Sequence, residues 1–495
     1  STLSPSSAAS DVYKRQLPYA GKEQVEKTVN SLQATGLIEE IRLITTDATL
    51  ESLPDCEILF VDMPYSSATL KAIANAAKGE YTLLYTKETT LEMGMFALER
   101  MIHILEDSSA GMVYADHYQI ADGKQSNAPV IDYQFGSLRD DFNFGSLLLF
   151  NTEKLKEAAG HMKSDYNFAG LYDLRLKLSQ HSNLVHINEY LYSEVENDTR
   201  KSGEKIFDYV DPKNRDRQIE MEQACTEHLK EIGGYLAPEF KKIEFSAGNF
   251  EYEASVIIPV RNRIRTIRDA IKSVLMQKTD FKYNLIIIDN HSTDGTTEAI
   301  DEFKDDERLI HIVPERNDLG IGGCWNVGVH HPKCGKFAVQ LDSDDVYKDE
   351  NTLAIMVRAF YEQNCAMVVG TYMMTDFNMN MIAPGIIDHK EWTPANGRNN
   401  ALRINGLGAP RAFYTPVLRE VKVPNTSYGE DYALGLNFSR QYQIGRVYDV
   451  VYLCRRWDDN SDASLDIVKM NGHNLYKDRI RTWELQARIA MNKNK

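Results

Sequence analysis

The hydrophobic pattern is clearest between Ala254 and Asp345, where three short apolar runs each stop at a polar cluster. They lie in the segments Ala254–Asn262, Asn284–Thr296 and Gln340–Asp345. Continuous apolar runs of this length are typical of buried parallel strands. Ligands of open α/β sheets bind outside the carboxyl ends of such strands. The pattern therefore predicts three strands whose following polar residues face one crevice.

The first half of the chain alternates between strand and helix patterns. From Leu17 it predicts a strand end, helix Gln24–Ala34, strands Ile41–Ile44 and Ile58–Val61, helix Ala68–Ala77, strand Tyr81–Tyr85, helix Leu91–Leu105 and a long helix Asp211–Tyr235. Such alternation is typical of βαβ units. Residues 1–16 are rich in Ser and Ala and lack the apolar core of a signal peptide, so we expect them to be disordered or foreign to the fold.

An internal repeat relates the two halves. Gly79–Glu88 aligns with Gly335–Asp344 at an offset of 256, and near this offset Gly111–Tyr114 falls on Ala366–Val369 and Asp173–Leu176 on Asp431–Leu434. The chain is therefore predicted to contain two copies of one fold, at residues 17–245 and 250–470. An amphipathic helix is predicted for residues 471–495 and is expected to dock on its own domain.

The two copies differ at their acidic motif. Asp342-Ser343-Asp344 in the second half aligns with Thr86-Lys87-Glu88 in the first. An ammonium group repels a divalent ion, whereas two carboxylates attract one. We expect the first copy to be degenerate and non-catalytic.

Composition limits the possible partners. The 495 residues carry a formal charge of −16, which argues against a general nucleic-acid or anionic-membrane binder. The six cysteines form no Cys-x-x-Cys pair and are expected to be reduced thiols in a cytoplasmic protein. No apolar run is long enough for a transmembrane helix, although peripheral contact with the inner membrane face stays open.

Four segments resemble a family 2 glycosyltransferase of the inverting GT-A type. They are Pro259-Val-Arg-Asn262, Asp289 with Ser292 and Asp294-Gly295, Asn317–Asn326, and Asp342-Ser-Asp344. The resemblance implies an α/β protein with two tandem GT-A (Rossmann-like, nucleotide-diphospho-sugar transferase) domains. Their sheets would be mixed, mostly parallel and flanked by helices.

The resemblance also implies a nucleotide-sugar site made by Pro259, Val260, Arg261, Asn262, Asp289, Gly322, Asn326, Asp342 and Ser343. The turn at residues 259–262 would cup the base and ribose, unless it is an ordinary strand-to-helix turn. Ser292, Thr293 and Asp294 are expected to cap a helix instead. The glycine-rich segment Asn317–Gly328 leads into a predicted helix, and the N-terminus of that helix would stabilise the negative charge of the diphosphate. Trp325 stands where the family often has arginine, so Arg316 or Arg261 would have to substitute.

The acidic motif is the predicted metal site. Alternate residues of an extended segment project to the same side, so Asp342 and Asp344 can converge on Mn²⁺ or Mg²⁺. An acidic turn without a metal is the alternative. Asp345 is expected to cap the helix that follows.

The remaining candidates come from the last third of the chain. Asp431 would be the general base at the start of a helix, with Glu430 in support, although aspartate there is also a common helix cap. Trp392 and Arg411 are acceptor-site candidates, and Trp392 would either stack on a sugar or pack in the core. Arg455 and Arg456 would contact the diphosphate.

The predicted function is transfer of a sugar from a nucleoside-diphosphate sugar to an acceptor hydroxyl of a carbohydrate or glycolipid, in surface-polysaccharide or glycolipid synthesis. A catalytically inactive carbohydrate- or partner-binding scaffold is one alternative. A sugar-phosphate nucleotidyltransferase is another, but it would need a glycine-rich loop after the first strand, and residues 259–262 contain no glycine. Homo-oligomer formation stays open.

Overall fold

The structure is a computed structural model that describes residues 2–5, 22–50, 53–195, 214–246, 248–457 and 465–494. The chain divides into two compact units. Unit 1 comprises Ser1–Lys201, Pro212–Gly234 and Leu465–Thr482, and unit 2 comprises Ser202–Asp211, Tyr235–Ser464 and Trp483–Lys495.

Unit 1 is built from a nine-stranded sheet and its helices. In chain order its elements are β1 (Thr2–Pro5), α1 (Lys22–Gln33), β2 (Glu40–Thr45), β3 (Cys56–Phe60), α2 (Ser67–Ala76), β4 (Tyr81–Tyr85), β5 (Leu91–Met93), α3 (Ala97–Asp107), β6 (Met112–Ala121), β7 (Lys124–Ala128), β8 (Leu147–Asn151), α4 (Thr152–Gly160), α5 (Gly170–His181), β9 (Leu184–Val195) and α6 (Arg215–Glu231). The sheet order is β3-β2-β1-β4-β8-β6-β9-β5, with β7 on β6.

Unit 2 repeats this arrangement. Its elements are β10 (Ala254–Val260), α7 (Ile267–Leu275), β11 (Tyr283–Asp289), α8 (Thr296–Asp301), β12 (Leu309–Ile312), α9 (Ile321–Val329), β13 (Phe337–Gln340), β14 (Val346–Tyr347), α10 (Thr352–Gln363), β15 (Met367–Thr375), β16 (Met381–Ile387), α11 (Gly397–Asn400), β17 (Arg411–Tyr414), α12 (Thr415–Val421), α13 (Glu430–Gln441) and β18 (Ile444–Arg455). The order β12-β11-β10-β13-β17-β15-β18-β14, with β16 on β15, matches unit 1 strand for strand. The last helix, α14 (Ile467–Lys493), gives its first part to unit 1 and the rest to unit 2.

The expected α/β fold with mixed sheets is confirmed. In unit 2, β12, β11, β10 and β13 are parallel neighbours, and β17 is antiparallel to both of its neighbours. Every residue of β11 is buried, which explains its apolar run Leu285–Ile288. Apolar residues at helical spacing on α7 bury one face against the sheet, as the pattern predicted.

Two predictions about unit 1 differ from the structure. Leu91–Met93 is not the start of a helix but strand β5, because it pairs with β9 and because Gly94 packs against the Leu191 carbonyl, leaving no room for a side chain. Strand β1 falls within residues 1–16, which we expected to lie outside the fold. Its backbone pairs in parallel with β2 and β4 and so joins them in the sheet.

The helix and strand bounds of the two units show which residues correspond in the repeat. Helices α5 and α13 have 12 residues each, and both begin 14 positions before a 12-residue strand, β9 or β18. Counted from these helix starts, Gly170 and Leu171 match Glu430 and Asp431. Asp173 matches Ala433, so the alignment of Asp173 with Asp431 was wrong by two residues.

Candidate functional site

The carboxyl ends of β10, β11 and β13 carry the predicted polar residues, together with the starts of β17 and α13. Asp342 lies two residues after β13, and its side chain reaches solvent although the surrounding protein atoms desolvate its carboxyl group. Asp344 is partly exposed and Asp345 is buried. Gln340 Nε2 donates to Asp342 Oδ1 at 2.9 Å, and the Asp342 N–H donates to the Tyr452 hydroxyl at 3.1 Å. These contacts fix the strand end from which Asp342 projects.

Arg411 lies between two of the predicted acids. Its Nη1 atom is 2.9 Å from Asp431 Oδ2 and donates to the Leu407 carbonyl at 2.8 Å. Burial raises the pKa of Asp342, Arg411 opposes this, and Asp344 and Asp431 add to it. The fold therefore gathers Asp342, Arg411 and Asp431, which are far apart in the sequence, into one electrostatic cluster.

Glu430 and Asp431 open helix α13. Gly429, with φ of 82°, is the cap residue and no side chain caps this helix end, so the alternative that Asp431 is the N-cap does not describe it. Asp431 Oδ1 accepts the N–H of Tyr432 at 2.8 Å. Burial and the neighbouring Asp431 raise the pKa of Glu430 to about 8, and its buried Oε2 has no hydrogen-bond partner among the described residues. Glu430 thus retains its proton at neutral pH.

Asp344 and Asp345 are held by the end of β18. The Asp344 carbonyl accepts Arg455 Nε at 2.6 Å, and its carboxylate lies 3.4 Å from Trp457 Nε1 and 3.9 Å from Arg263 Nε. Asp345 caps no helix, contrary to expectation. It accepts the Tyr452 hydroxyl and the Arg455 N–H, both at 2.8 Å, and strand β14 follows it.

The two arginines predicted at the diphosphate occupy different environments. The Arg455 side chain is 1% exposed, pairs with Asp269 at 2.8 Å and lies over the Phe377 ring. Arg455 therefore stabilises the acidic segment from the protein interior and is not accessible to a ligand. Arg456 is half-buried, and its N–H donates to the Thr375 carbonyl at 2.8 Å.

The turn after β10 is joined to the loop after β11. Asn262 has φ of 53°, its Oδ1 accepts the Thr293 N–H at 2.8 Å, and its N–H donates to Ser292 Oγ at 3.0 Å. Arg261 is exposed beside it, while Pro259 is half-buried and Val260 is buried. The turn presents Arg261 and Asn262 to solvent at the sheet edge.

Asp289 is fully buried at the end of β11. Its carboxylate accepts the Ser292 N–H at 3.0 Å and the Thr297 hydroxyl at 2.5 Å, and Nε2 of His311 lies 3.5 Å away. Burial opposes ionisation, yet these neighbours hold the pKa of Asp289 well below its usual range. In this structure the carboxylate stabilises the loop that follows β11.

The glycine-rich segment is covered by the chain itself. The N–H groups of Gly320, Ile321 and Gly322 donate to Asn425 Oδ1 (2.8 Å), Ser427 Oγ (3.3 Å) and the Thr426 carbonyl (2.9 Å). A Cβ on Gly322 would collide with the Pro424 carbonyl, so glycine is required here for packing. These groups are therefore not free to hold a diphosphate in this structure.

Asn326 and Trp392 also have internal roles. Asn326 exchanges two hydrogen bonds with the backbone of Val423, at 2.7 and 2.9 Å. Trp392 is 3% exposed and its ring packs on Gly397, so it is a core residue and not a stacking platform for a sugar. Ser343 is buried, and its carbonyl accepts the Thr266 hydroxyl at 2.9 Å.

Four contributors were missed by sequence reasoning: Gln340, Tyr452, Arg263 and Trp457. Tyr452 and Trp457 are the two ends of the segment that contains the predicted contacts Arg455 and Arg456. Within the described ranges no group of three or more His, Cys, Asp or Glu side chains is arranged to hold a metal ion. The carboxylates of Asp342 and Asp344 are the available oxygen ligands. All six cysteines are unpaired thiols.

Comparison with known families concerns the segment that contains this site. Residues 255–412 match the family model described as Glycosyl transferase family 2. The matched segment runs from β10 to the start of β17 and includes Asp342 and Asp344. No helix in the described part of the chain is both long and apolar enough to cross a bilayer.

Two curated relatives share parts of the chain. An uncharacterized glycosyltransferase of Rickettsia felis is 37% identical over 198 residues, which is 39% of this chain and 31% of the relative. The GalNAc(5)-diNAcBac-PP-undecaprenol beta-1,3-glucosyltransferase of Campylobacter jejuni is 36% identical over 93 residues, 18% of this chain and 29% of the relative. The chain thus spans less than a third of the length of either relative.

Solved structures are similar at low identity. The crystal structure of S. aureus TarS 1–349 in complex with UDP-GlcNAc has a TM-score of 0.37 and 19% identity, covering 48% of this chain and 72% of that one.

Proposed function

We propose that unit 2 transfers a sugar from a nucleoside-diphosphate sugar to an acceptor hydroxyl, with inversion at the anomeric carbon, in surface-polysaccharide or glycolipid synthesis. The carrying observation is the cluster in which Arg411 pairs with Asp431 at 2.9 Å and acts electrostatically on Asp342. The name of the Campylobacter relative describes a glucosyltransferase acting on a polyprenol-linked glycan, which suggests the acceptor class.

Asp431 is the proposed general base. Its carboxylate accepts the proton of the acceptor hydroxyl while that oxygen attacks the anomeric carbon from the side opposite the leaving group. The bond from the anomeric carbon to the diphosphate oxygen breaks, and its electron pair leaves with the nucleoside diphosphate. Arg411 holds Asp431 in place. Glu430 remains protonated, because its pKa is about 8, and donates a hydrogen bond that orients the acceptor.

Asp342 and Asp344 would hold Mn²⁺ or Mg²⁺. The donor set fits, since hard divalent cations prefer carboxylate oxygens and water. Burial and the repulsion from Asp344 raise the pKa of Asp342, so a cation there would relieve an existing electrostatic cost. When bound, the metal would counter the charge that develops on the departing diphosphate.

The remaining donor contacts are proposed for exposed groups at the same sheet edge. Arg261 and Asn262 can approach the base and ribose, and Arg456 is the better diphosphate candidate of the two late arginines because Arg455 is buried. Asp289, Gly322, Asn326 and Ser343 act indirectly, by fixing the loops on which the others stand.

Unit 1 is the proposed non-catalytic copy. At the place of the acidic motif, Lys87 Nζ lies 2.8 Å from Oε1 of the buried Glu194, which is also 3.1 Å from His117 Nε2. A cation site is thereby replaced by an internal ion pair. Gly170 and Leu171, which match Glu430 and Asp431, carry no titratable group.

A nucleotide screen tests the donor site. Purified protein is heated with UDP, GDP, CDP or dTDP, each with and without Mn²⁺. Ligand that binds only the folded state raises Tm with the logarithm of its concentration over Kd. We expect one nucleotide to stabilise the protein in a metal-dependent manner, and Asp344→Ala to abolish that shift while leaving the Tm of the free protein within a few degrees. Absence of any shift would favour a scaffold without a donor site.

A further inference from the structure

Unit 1 contains a cavity of about 420 Å³, separate from the residues discussed so far. Its wall is formed by the end of α5, the start of β9, His228 of α6, Ile232 directly after that helix, and the loop at residues 133–135. Small-molecule sites have volumes of roughly 300–1,000 Å³. The cavity is therefore large enough for a small ligand.

The wall is uncharged. Within the described part of the chain, its lining contains no Asp, Glu, Lys or Arg. His228 is 3% exposed, and burial together with Arg175 and Lys177 lowers its pKa to about 3, so its imidazole is neutral at physiological pH. Such a wall leaves the phosphate of a nucleotide or the carboxylate of an acid without a counter-charge. The cavity suits a neutral ligand.

The polar groups of the wall are held in place and have bonding capacity to spare. Gln180 Nε2 is 3.0 Å from His228 Nδ1 and donates to Glu231 at 2.7 Å, which orients the amide and leaves Oε1 without a partner among the described residues. Gln134 Nε2 likewise donates to the Leu475 carbonyl at 3.1 Å. The Asn183 side chain makes no hydrogen bond to any described residue. Amides with one end fixed and the other available are suited to hydroxyl groups.

Aromatic rings stand beside these amides. Phe135 lines the cavity and is 45% exposed, so its ring face is accessible to a ligand. The Tyr133 ring is packed by Phe142 and Phe144, with centroids at 5.4 and 5.8 Å, so it forms a rigid part of the wall. A sugar ring offers an apolar C–H face to such rings and hydroxyl groups at its edge.

Unit 2 has a different surface at the matching helix end. There the cavity is about 170 Å³ and its lining includes Glu239, Lys241, Arg398 and Arg440. Counted from the helix starts, Arg440 occupies the position of Gln180. The cavity of unit 1 is therefore larger than that of unit 2 and has an uncharged lining.

We propose that the cavity of unit 1 binds a neutral carbohydrate of one or two sugar rings, with Phe135 against a ring face and Gln134, Gln180 and Asn183 at its hydroxyl groups. The site would be independent of the donor site in unit 2, and binding there requires neither nucleotide nor metal.

Ligand-detected NMR and calorimetry on the full chain test this site. The probes are cellobiose, lactose, maltose and chitobiose, with digalacturonic acid as the anionic counterpart, all without nucleotide. Saturable binding of at least one neutral disaccharide is expected. Gln180→Arg, which introduces the residue type of unit 2, and Phe135→Ala should each weaken it about tenfold.

Matched controls separate the cavity from general surface effects. Gln223→Arg adds the same charge at an exposed α6 position, and Phe60→Ala removes another exposed ring; both should leave the affinity unchanged. Circular dichroism and Tm verify that each variant is folded. The proposal is overturned by failure of every neutral disaccharide to saturate, by stronger binding of digalacturonic acid, or by binding that survives both cavity variants.

Discussion

The segments after β4 and β13 occupy matching places in the two sheets and carry opposite charge arrangements. After β13, Asp342 interacts electrostatically with Arg411, and the neighbouring Asp344 lies 3.9 Å from Arg263 Nε. After β4, Lys87 pairs with Glu194, a buried carboxylate that His117 also contacts. Unit 1 therefore has an internal ion pair at this position, whereas unit 2 has three aspartates, Asp342, Asp344 and Asp345.

The same contrast appears in the carboxyl groups of the two units. Burial alone would raise the pKa of Glu194, but His117 and Lys87 lower it to about 2. The pKa of Glu430 rises to about 8 because no cation offsets its burial and its neighbour Asp431 sufficiently. Both units have the same strand order. The candidate site in unit 2 is therefore distinguished by the raised pKa of its carboxyl groups and not by its topology.

The largest expected effect is on the proposed base. Asp431→Asn keeps the shape of the side chain but cannot accept the acceptor proton, so kcat/KM should fall by roughly 10²–10⁴-fold. Sugar transfer is measured with the donor identified by the nucleotide screen. Asp449→Asn, at an exposed position of β18, is the control and should retain activity. Full activity of Asp431→Asn would remove Asp431 from the mechanism.

The next effect concerns stability and should leave transfer intact. Lys87→Met removes the ammonium beside Glu194 and leaves a buried carboxylate with His117 alone. Because the Lys87 side chain is 31% exposed, we expect a loss of about 1–3 kcal/mol, less than for a fully buried pair. Chemical denaturation measures it, with Lys78→Met as the exposed control. Loss of transfer in the folded Lys87 variant would contradict a non-catalytic unit 1.

A pH profile sharpens the role of Arg411. Arg411→Met removes the charge that lowers the pKa of Asp342, so the acidic limb of kcat/KM should move to higher pH. Arg411→Lys retains a positive charge and should restore much of the original profile. Equal profiles for all three proteins would mean that Arg411 has no electrostatic effect on the reaction.

The smallest effect is the pH dependence contributed by Glu430. Its folded-state pKa is raised, so its stabilising contribution is complete below the ordinary value of 4.5 and is lost as pH rises through about 8. Glu430→Gln removes this dependence. Thermal unfolding should therefore give the variant the higher Tm at pH 8 and similar Tm values for both proteins at pH 5. A lower Tm of the variant at pH 8 would reverse the assigned sign.

The sequence predicted the parts of the fold and site that depend on local pattern. The three apolar runs became β10, β11 and β13, and Tyr81–Tyr85 was predicted with its observed bounds as β4. The family resemblance selected both Asp342 and Asp431 as site residues. In the structure Arg411 lies 2.9 Å from Asp431 and interacts electrostatically with Asp342.

What was missed depends on contacts between distant segments. Leu91–Met93 has an apolar pattern compatible with a helix, and only its pairing with β9 makes it a strand. The role of Trp392 was left open because the sequence around a single tryptophan does not show whether it is buried. Arg455 was predicted to contact a ligand, but its guanidinium group pairs with Asp269 and donates to the Asp344 carbonyl. The two-residue error at Asp173 arose because the offset between the halves grows from 256 at β4 to 260 at α5 through differences in loop length.

The loop that covers the start of α9 has a consequence for movement near the base. Pro424–Ser427 lies against Gly322 and Gly323, and the same loop leads within a few residues to Asp431. Because these glycines lack side chains, the loop can pack closely against the start of α9. This close packing also determines the position at which α13 begins. A methyl group at residue 322 would collide with the Pro424 carbonyl and push this loop outward, and Asp431 with it. Gly322 and Gly323 thus influence the position of the Asp431 carboxylate through the packing of this loop.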